Sequence, residues 1–233
     1  MEKINIFLAD RQVLFREGMH FTLAGEEDFE VIGEATSNQA TLKFISKNPP
    51  EVAIFNANGD TPSGIDVTRY IKQHLPSVAV ILVMDSYNVG QLFSAMKSGA
   101  SACLSKDIDP DELIENTRKV ASSEYPISQA LLKPEIASLV VDEFEAFSLI
   151  SKKVGELLAH LLPIEAQILG QIAGGSPIGQ ITKALGIKEK AIKLHLDPIL
   201  SKLVANDRSR GVIEAAQSKL TATVSKTKRA GNQ

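Results

Sequence analysis

The segment Pro50-Glu51-Val52-Ala53-Ile54-Phe55-Asn56 has the form of a buried strand that carries one polar side chain to its carboxyl end. A carboxylate at that place could attack a phosphoryl group held beside a divalent cation, but the amide of Asn56 cannot form an acyl phosphate. The apolar run Ile4–Ala9 ends in the acid Asp10, and the run Val78–Val83 ends in Met84, so acid, amide and thioether stand at three comparable places. A second chemistry is suggested near the other end of the chain. There Lys188, Lys190 and Lys193 share one short helical stretch, the spacing of cations that meet a polyanion.

The elements that must position these residues can be read from periodicity. Ile4–Ala9, Glu30–Ala35, Val52–Phe55, Val78–Val83 and Ala102–Leu104 are near-continuous apolar runs, and the intervening stretches 12–24, 37–47, 63–74, 88–98 and 109–121 are amphipathic. Such alternation predicts a doubly wound, five-stranded parallel sheet with helices on both faces, and ligands of such sheets bind at the carboxyl ends of the strands. Asp10, Asn56 and Met84 fall on that edge, and Asp60 falls in the loop after the third strand. From residue 134 to residue 163, two prolines bracket an apolar stripe of Ile136, Val140, Phe144, Phe147, Ile150, Val154, Leu157 and Leu161, with Gly155 as a possible break. The stripe predicts a helical linker, either packed on its own chain or forming a dimer seam. Residues 163–174, 178–185, 188–203 and 207–217 then read as short helices, with Gly174-Gly175 and Gly186 at turns, a helix-turn-helix pattern. Pro198 is expected to kink or end the third of them, because it removes the bond to the Leu194 carbonyl. The residues after Leu220 have no core-forming pattern and are expected to be disordered.

Composition narrows the function classes. Residues 1–150 hold 12 Lys/Arg against 22 Asp/Glu, whereas residues 151–233 hold 13 against 6. An acidic control domain joined to a polyanion-binding domain shows such a division. One cysteine, Cys103, excludes a disulfide framework, and His20, His74, His160 and His195 have no metal-ligand spacing, so neither metal nor cofactor is expected. The N-terminus lacks the form of a signal peptide, and no apolar run approaches the roughly 18 residues of a spanning helix. No membrane insertion is expected, and a reducing cytoplasm fits. There is no Gly-rich phosphate loop, nucleophile elbow or pair of catalytic carboxylates on one helix face, so no catalytic residues are assigned and an enzyme is not expected.

Phe7-Leu-Ala-Asp-Arg-Gln-Val-Leu-Phe-Arg-Glu-Gly18 and Leu104-Ser-Lys-Asp107, followed by Leu162-Pro-Ile-Glu165, Ile181-Thr-Lys-Ala-Leu185 and Lys188-Glu-Lys-Ala-Ile-Lys-Leu-His195, carry a resemblance in this order and spacing. Over nearly the whole chain the sequence resembles the NarL/FixJ-type response regulators, a flavodoxin-like receiver followed by a LuxR-type helix-turn-helix. What the resemblance implies for the site is mostly loss. The phosphoacceptor falls on Asn56, the second metal-binding acid on Arg11, the switch hydroxyl on Met84 and the aromatic switch on Cys103, while Asp10 and the active lysine, Lys106, are kept. An Asp10–Arg11 ion pair is then expected to stand in for the metal. In the helix-turn-helix, Lys193 matches a base-contacting position, Leu194 could meet a thymine methyl, and Lys188 and Lys190 stand near phosphates. Against this, Ala191, Gly179, Asp197 and Pro198 depart from the family pattern.

These observations predict a pseudo-receiver over residues 1–124, a helical linker over 125–161 that either packs on its own chain or serves as the dimerisation segment of a homodimer, a LuxR-type DNA-binding domain over 162–220 and a basic tail over 221–233. The expected function is transcription regulation on double-stranded DNA, with control from dimerisation, a protein partner or a small ligand in place of phosphorylation. The alternative is a protein-interaction regulator that binds DNA weakly or not at all.

Overall fold

The strand–helix alternation folds as expected. The computed structural model describes residues 3–58, 61–86, 88–154 and 158–230, with side chains given except at 149–154 and beyond residue 212; Asp60 therefore lies outside the described residues. The elements run β1 (Ile4–Ala9), α1 (Val13–Ala24), β2 (Phe29–Ala35), α2 (Asn38–Ile45), β3 (Val52–Asn56), α3 (Gly64–His74), β4 (Ala79–Met84), α4 (Val89–Ser98), β5 (Ala102–Ser105) and α5 (Pro110–Ala121). All strand pairs are parallel, in the order β2-β1-β3-β4-β5. Both faces of the sheet are covered, which is why its strands lack polar alternation. Ile6, Leu8, Ile54, Ile81 and Val83 face Met19 and Leu23 of α1 and Leu113 and Val120 of α5. Phe7, Phe55, Val80, Leu82 and Met84 face Val67 and Ile71 of α3 and Leu92 and Met96 of α4.

The start of α3 is fixed by chemistry the sequence spells out. The Ser63 hydroxyl accepts from the Asp66 backbone N–H at 3.2 Å while the Asp66 carboxylate accepts from the Ser63 backbone N–H at 3.3 Å, a reciprocal cap. Gly64 is required beside it: a Cβ there would lie 2.2 Å from the carbonyl oxygen of Asn56. The close approach of α3 to the end of β3 is what frames the Asn56 side chain.

After a 3-10 segment at Pro126–Leu132, the chain continues through α6 (Pro134–Val154), α7 (Pro163–Ala173), α8 (Ile178–Leu185) and α9 (Glu189–Ala230). The α6 stripe turns inward: Ile136, Ala137, Val140 and Phe147 are buried in the same apolar cluster as Ile168 and Ile172 of α7, Ile181 of α8 and Leu196, Ile199 and Leu203 of α9. Of the two expectations for the stripe, these residues satisfy packing on their own chain; Ile150, Val154 and Leu157 lie outside the described side chains.

Two expectations about α9 are corrected. No break separates 188–203 from 207–217, and the backbone is helical as far as Ala230, where disorder was expected beyond Leu220. Once a helix is nucleated, each further residue adds a hydrogen bond, and Val204-Ala205-Asn206 contains no breaker. Pro198 lies inside α9 and does not end it. Pro198 and Leu194 are both exposed, so the carbonyl freed by the missing N–H is on the side open to water. Asn206, buried within the same helix, donates from Nδ2 to the Ala159 carbonyl at 2.8 Å and accepts from the Ala159 N–H at 2.7 Å, tying α9 to the segment before α7.

Candidate functional site

The carboxyl edge of the sheet gathers Asp10, Asn56 and Lys106 as expected, and adds Asp85, which sequence reasoning did not assign. The Asp10 side chain is fully buried. One of its oxygens accepts the Gln12 backbone N–H at 2.7 Å; the other accepts Asn56 Nδ2 at 3.0 Å and meets Lys106 Nζ at 2.9 Å. The same ammonium reaches Asp85 at 2.8 Å, while Asn56 Nδ2 lies 3.4 Å from that carboxylate. The Asn56 carbonyl oxygen in turn accepts the Asn58 N–H at 2.7 Å. An amide suits this position because it can donate to acids and accept from a backbone N–H at once. The Lys106 hydrogen bond, with smaller help from Asn56 and Arg11, holds Asp85 below the usual carboxylate range.

The expected Asp10–Arg11 pair does not form. Arg11 is exposed and Lys106 takes the place at Asp10 instead. A guanidinium adjacent in sequence to its acid must fold back over a turn to reach it, whereas Lys106 extends from the end of β5 with its ammonium over the Phe15 ring, 5.1 Å from Nζ to the centroid. Asp85 could have been found by asking which acids directly follow a strand, since it is next to Met84. Met84 is buried, and its carbonyl accepts the Lys106 N–H at 3.1 Å. Cys103 is half-buried, and burial pushes its thiol up to about 12, so it stays protonated.

The space left among Asp10, Arg11, Asn56 and their neighbours is about 10 Å³. That is at most about the volume a single water needs, so the residues present do not fit a hydrated divalent cation with a phosphoryl group. Among the described residues no cluster of three or more His, Cys, Asp or Glu side chains is placed to hold a metal.

The second candidate surface is the start of α9. Gly186, in the left-handed region at φ 67°, closes α8 and turns the chain into α9. Lys188, Lys190, Lys193 and Leu194 are all exposed there, Leu194 to 67%. Lys193 pairs with Glu189 at 2.8 Å, one turn earlier; both side chains are half exposed, so the pair holds the lysine weakly and can give way to a phosphate or a base. Glu165, almost fully buried, fixes the frame by accepting the Leu162 N–H at 2.8 Å and pairing with Lys202 of α9 at 2.5 Å.

Farther along, α9 docks on the receiver through charges the sequence reading did not assign. Asp207 meets Arg69 of α3 and Lys97 of α4, each at 3.3 Å, and Glu143 of α6 meets Lys97 at 2.6 Å and Arg210 at 2.7 Å. Nothing local marks these residues as partners, because they come from four separate helices. Gly99, at φ 89°, permits the approach: a Cβ there would lie 3.1 Å from Lys72 Cγ and 3.4 Å from Val204 Cγ1. The first turns of α9 are thus open while its middle is held by the receiver.

Residues 6–118 match the response regulator receiver domain, and residues 160–215 match the bacterial regulatory proteins of the luxR family. The transcriptional regulatory protein DegU of Brevibacillus brevis is 31% identical over 219 residues, which cover 91% of this chain and 93% of DegU. The chain belongs to the LuxR-type response regulators. RcsB of Salmonella enterica serovar Typhimurium, solved bound to a promoter, superposes with a TM-score of 0.51 at 21% identity over 87% of this chain and 93% of that one. A structure of two RcsB dimers on two parallel DNAs gives 0.50 at 22% identity, over 89% and 97%. These likenesses establish the receiver-plus-helix-turn-helix fold.

Proposed function

We propose that this DNA-binding transcriptional regulator is not switched by aspartyl phosphorylation: Lys106 holds its receiver in one state, and the first turns of α9 contact double-stranded DNA. The observation that carries the reading is the single ammonium between Asp10 and Asp85, with the Asn56 amide donating to both. Asn56 offers an amide at the acceptor position, Met84 carries no hydroxyl, and among the described residues no cluster of acids is placed to hold a metal. Incubation with Mg²⁺ and a small phosphodonor should leave the intact mass unchanged. A stoichiometric, acid-labile adduct would overturn the proposal.

Exposure of Lys188, Lys190, Lys193 and Leu194 on one short helical stretch supports the DNA contact. Lys193 is long enough to reach guanine O6/N7, with Leu194 beside it for a thymine methyl, whereas Lys188 and Lys190 lie nearer the phosphates. Lys193→Ala should therefore reduce discrimination between sites by about 1–3 kcal/mol. Lys190→Ala should weaken all sequences alike and lower the salt slope by about one. Gel shifts across a salt series read both effects; wild-type protein without salt-sensitive binding to any DNA would favour the protein-interaction reading.

A homodimer is the assembly we propose on DNA, as the RcsB dimers suggest. With Ile136, Val140 and Phe147 of the α6 stripe buried, we place the contact between copies on α1, where Leu14 and Phe21, two turns apart, are 88% and 83% exposed. Among the described residues no helix is long and apolar enough to cross a membrane. A regulator that binds bacterial DNA works in the cytoplasm.

A further inference from the structure

We propose that the cleft between the receiver and the middle of α9 is a binding site for a small organic anion, one whose carboxylate or phosphate group is held by Lys72 and Arg208 and whose apolar body lies along α9. The site is separate from the sealed acid pocket and from the DNA-facing turns, and it goes beyond the function proposed above.

The cleft has a volume of about 460 Å³, within the size range of small-molecule sites. Its receiver wall includes Lys72 and Tyr125, and its α9 wall includes Pro198, Leu200, Val204 and Arg208. These walls can accept a ring or a short hydrocarbon. The cations are the feature that selects a ligand. Arg208 donates to the Lys72 backbone carbonyl at 3.1 Å, which seats a guanidinium from α9 on the receiver residue whose ammonium is the cleft's other cation. Lys72 Nζ donates to the Val78 carbonyl at 2.5 Å and more weakly to the Pro76 carbonyl at 3.4 Å. Among the described residues, neither cation is paired with a carboxylate. The Asp197 carboxylate also lines the cleft, but it is eleven residues before Arg208 on α9, about 16 Å along the helix axis. The cleft is therefore positive at the Lys72–Arg208 end.

Two like charges brought together at a half-buried junction repel, and an anion between them removes the repulsion. Burial first, and Arg208 second, push Lys72 down to about 8, which leaves it mostly protonated at neutral pH and able to bind an anion. Because one cation comes from each half, a bound anion meets both cations at once only in the docked arrangement. It would favour that arrangement by its differential affinity, without any phosphoryl chemistry.

Titration of the full-length protein with phenyl phosphate, benzoate and uncharged benzyl alcohol, followed by calorimetry, tests the assignment without DNA. Its failure would leave the phosphorylation and DNA readings untouched. At least one of the two anions should bind with a Kd near or below about 1 mM, and the alcohol should not. The stronger of the two identifies the head group. Arg208→Gln and Lys72→Gln should each weaken binding about tenfold, while Lys119→Gln on α5 should leave it unchanged. Arg208 is exposed, so its variant reports even if the Lys72 variant folds poorly. No binding by either anion, equal binding by the alcohol, or affinity indifferent to Arg208→Gln would each overturn the proposal.

Discussion

Replacing Lys106 with Met should destabilise the protein by about 3–5 kcal/mol, the cost of leaving a buried carboxylate without its cation. The Asp10 side chain has no exposure, and Lys106 is the cation paired with it among the described residues. Met keeps most of the length and apolar stem of Lys, so the loss reports charge and not a cavity. Asp85 should contribute little to the effect, because its side chain is 45% exposed and water can take the place of the ammonium. Its carboxyl is held below the ordinary value of 3.8 when folded, so whatever it contributes is present above that pH and is lost as pH falls through the folded value. Adding Asp10→Asn to Lys106→Met should recover much of the loss, since a neutral amide can keep the Gln12 N–H bond without a buried charge. Urea unfolding of the two variants reads the result. A single variant as stable as the wild type would show that the Asp10–Lys106 pair does not hold the receiver.

Phe147→Ala should cost about 3–5 kcal/mol, through the transfer of a large side chain and the cavity left behind. Phe147 is 2% exposed, meets Phe144 edge to face at 5.9 Å between centroids, and carries the Arg210 guanidinium over its ring at 5.7 Å. It sits where α6, α7 and α9 share one core, so its loss should loosen the junction of the two halves as well as lower the melting temperature. Phe147 is buried within its own chain, so the association state should follow the exposed face of α1 instead. Leu14→Glu with Phe21→Glu should give a folded monomer by light scattering, whereas Phe147→Ala should give a destabilised protein of unchanged assembly. A stable monomer from Phe147→Ala would return the seam to α6.

Much of this was legible in residue order. Near-continuous apolar runs gave strand ends within a residue or so of those observed, because a strand buried on both faces leaves few places for polar residues except its ends. Helix starts such as Ser63 were legible for a similar local reason: the cap and the N–H it satisfies are three residues apart. That Asn56 is no nucleophile and Met84 has no hydroxyl was legible in residue types alone, since no geometry changes either fact. The single long α9 was missed because several short helices and one continuous helix have the same local propensities.

By itself, then, the sequence determined the alternating α/β receiver, the helix-turn-helix after it, and a sheet edge with Asp10, Asn56 and Met84 at its strand ends. Tertiary structure alone decided that Lys106 and not Arg11 neutralises Asp10, that Asp85 joins them, that Ile136, Val140 and Phe147 of the α6 stripe face inward, and that Asp207 meets Lys97 and Arg69 across the two halves. The division has one physical cause. Periodicity, capping and chemical type act within a few residues of the chain, whereas the partner of a charge or an apolar face is set by which distant elements the fold brings within a few ångströms of it.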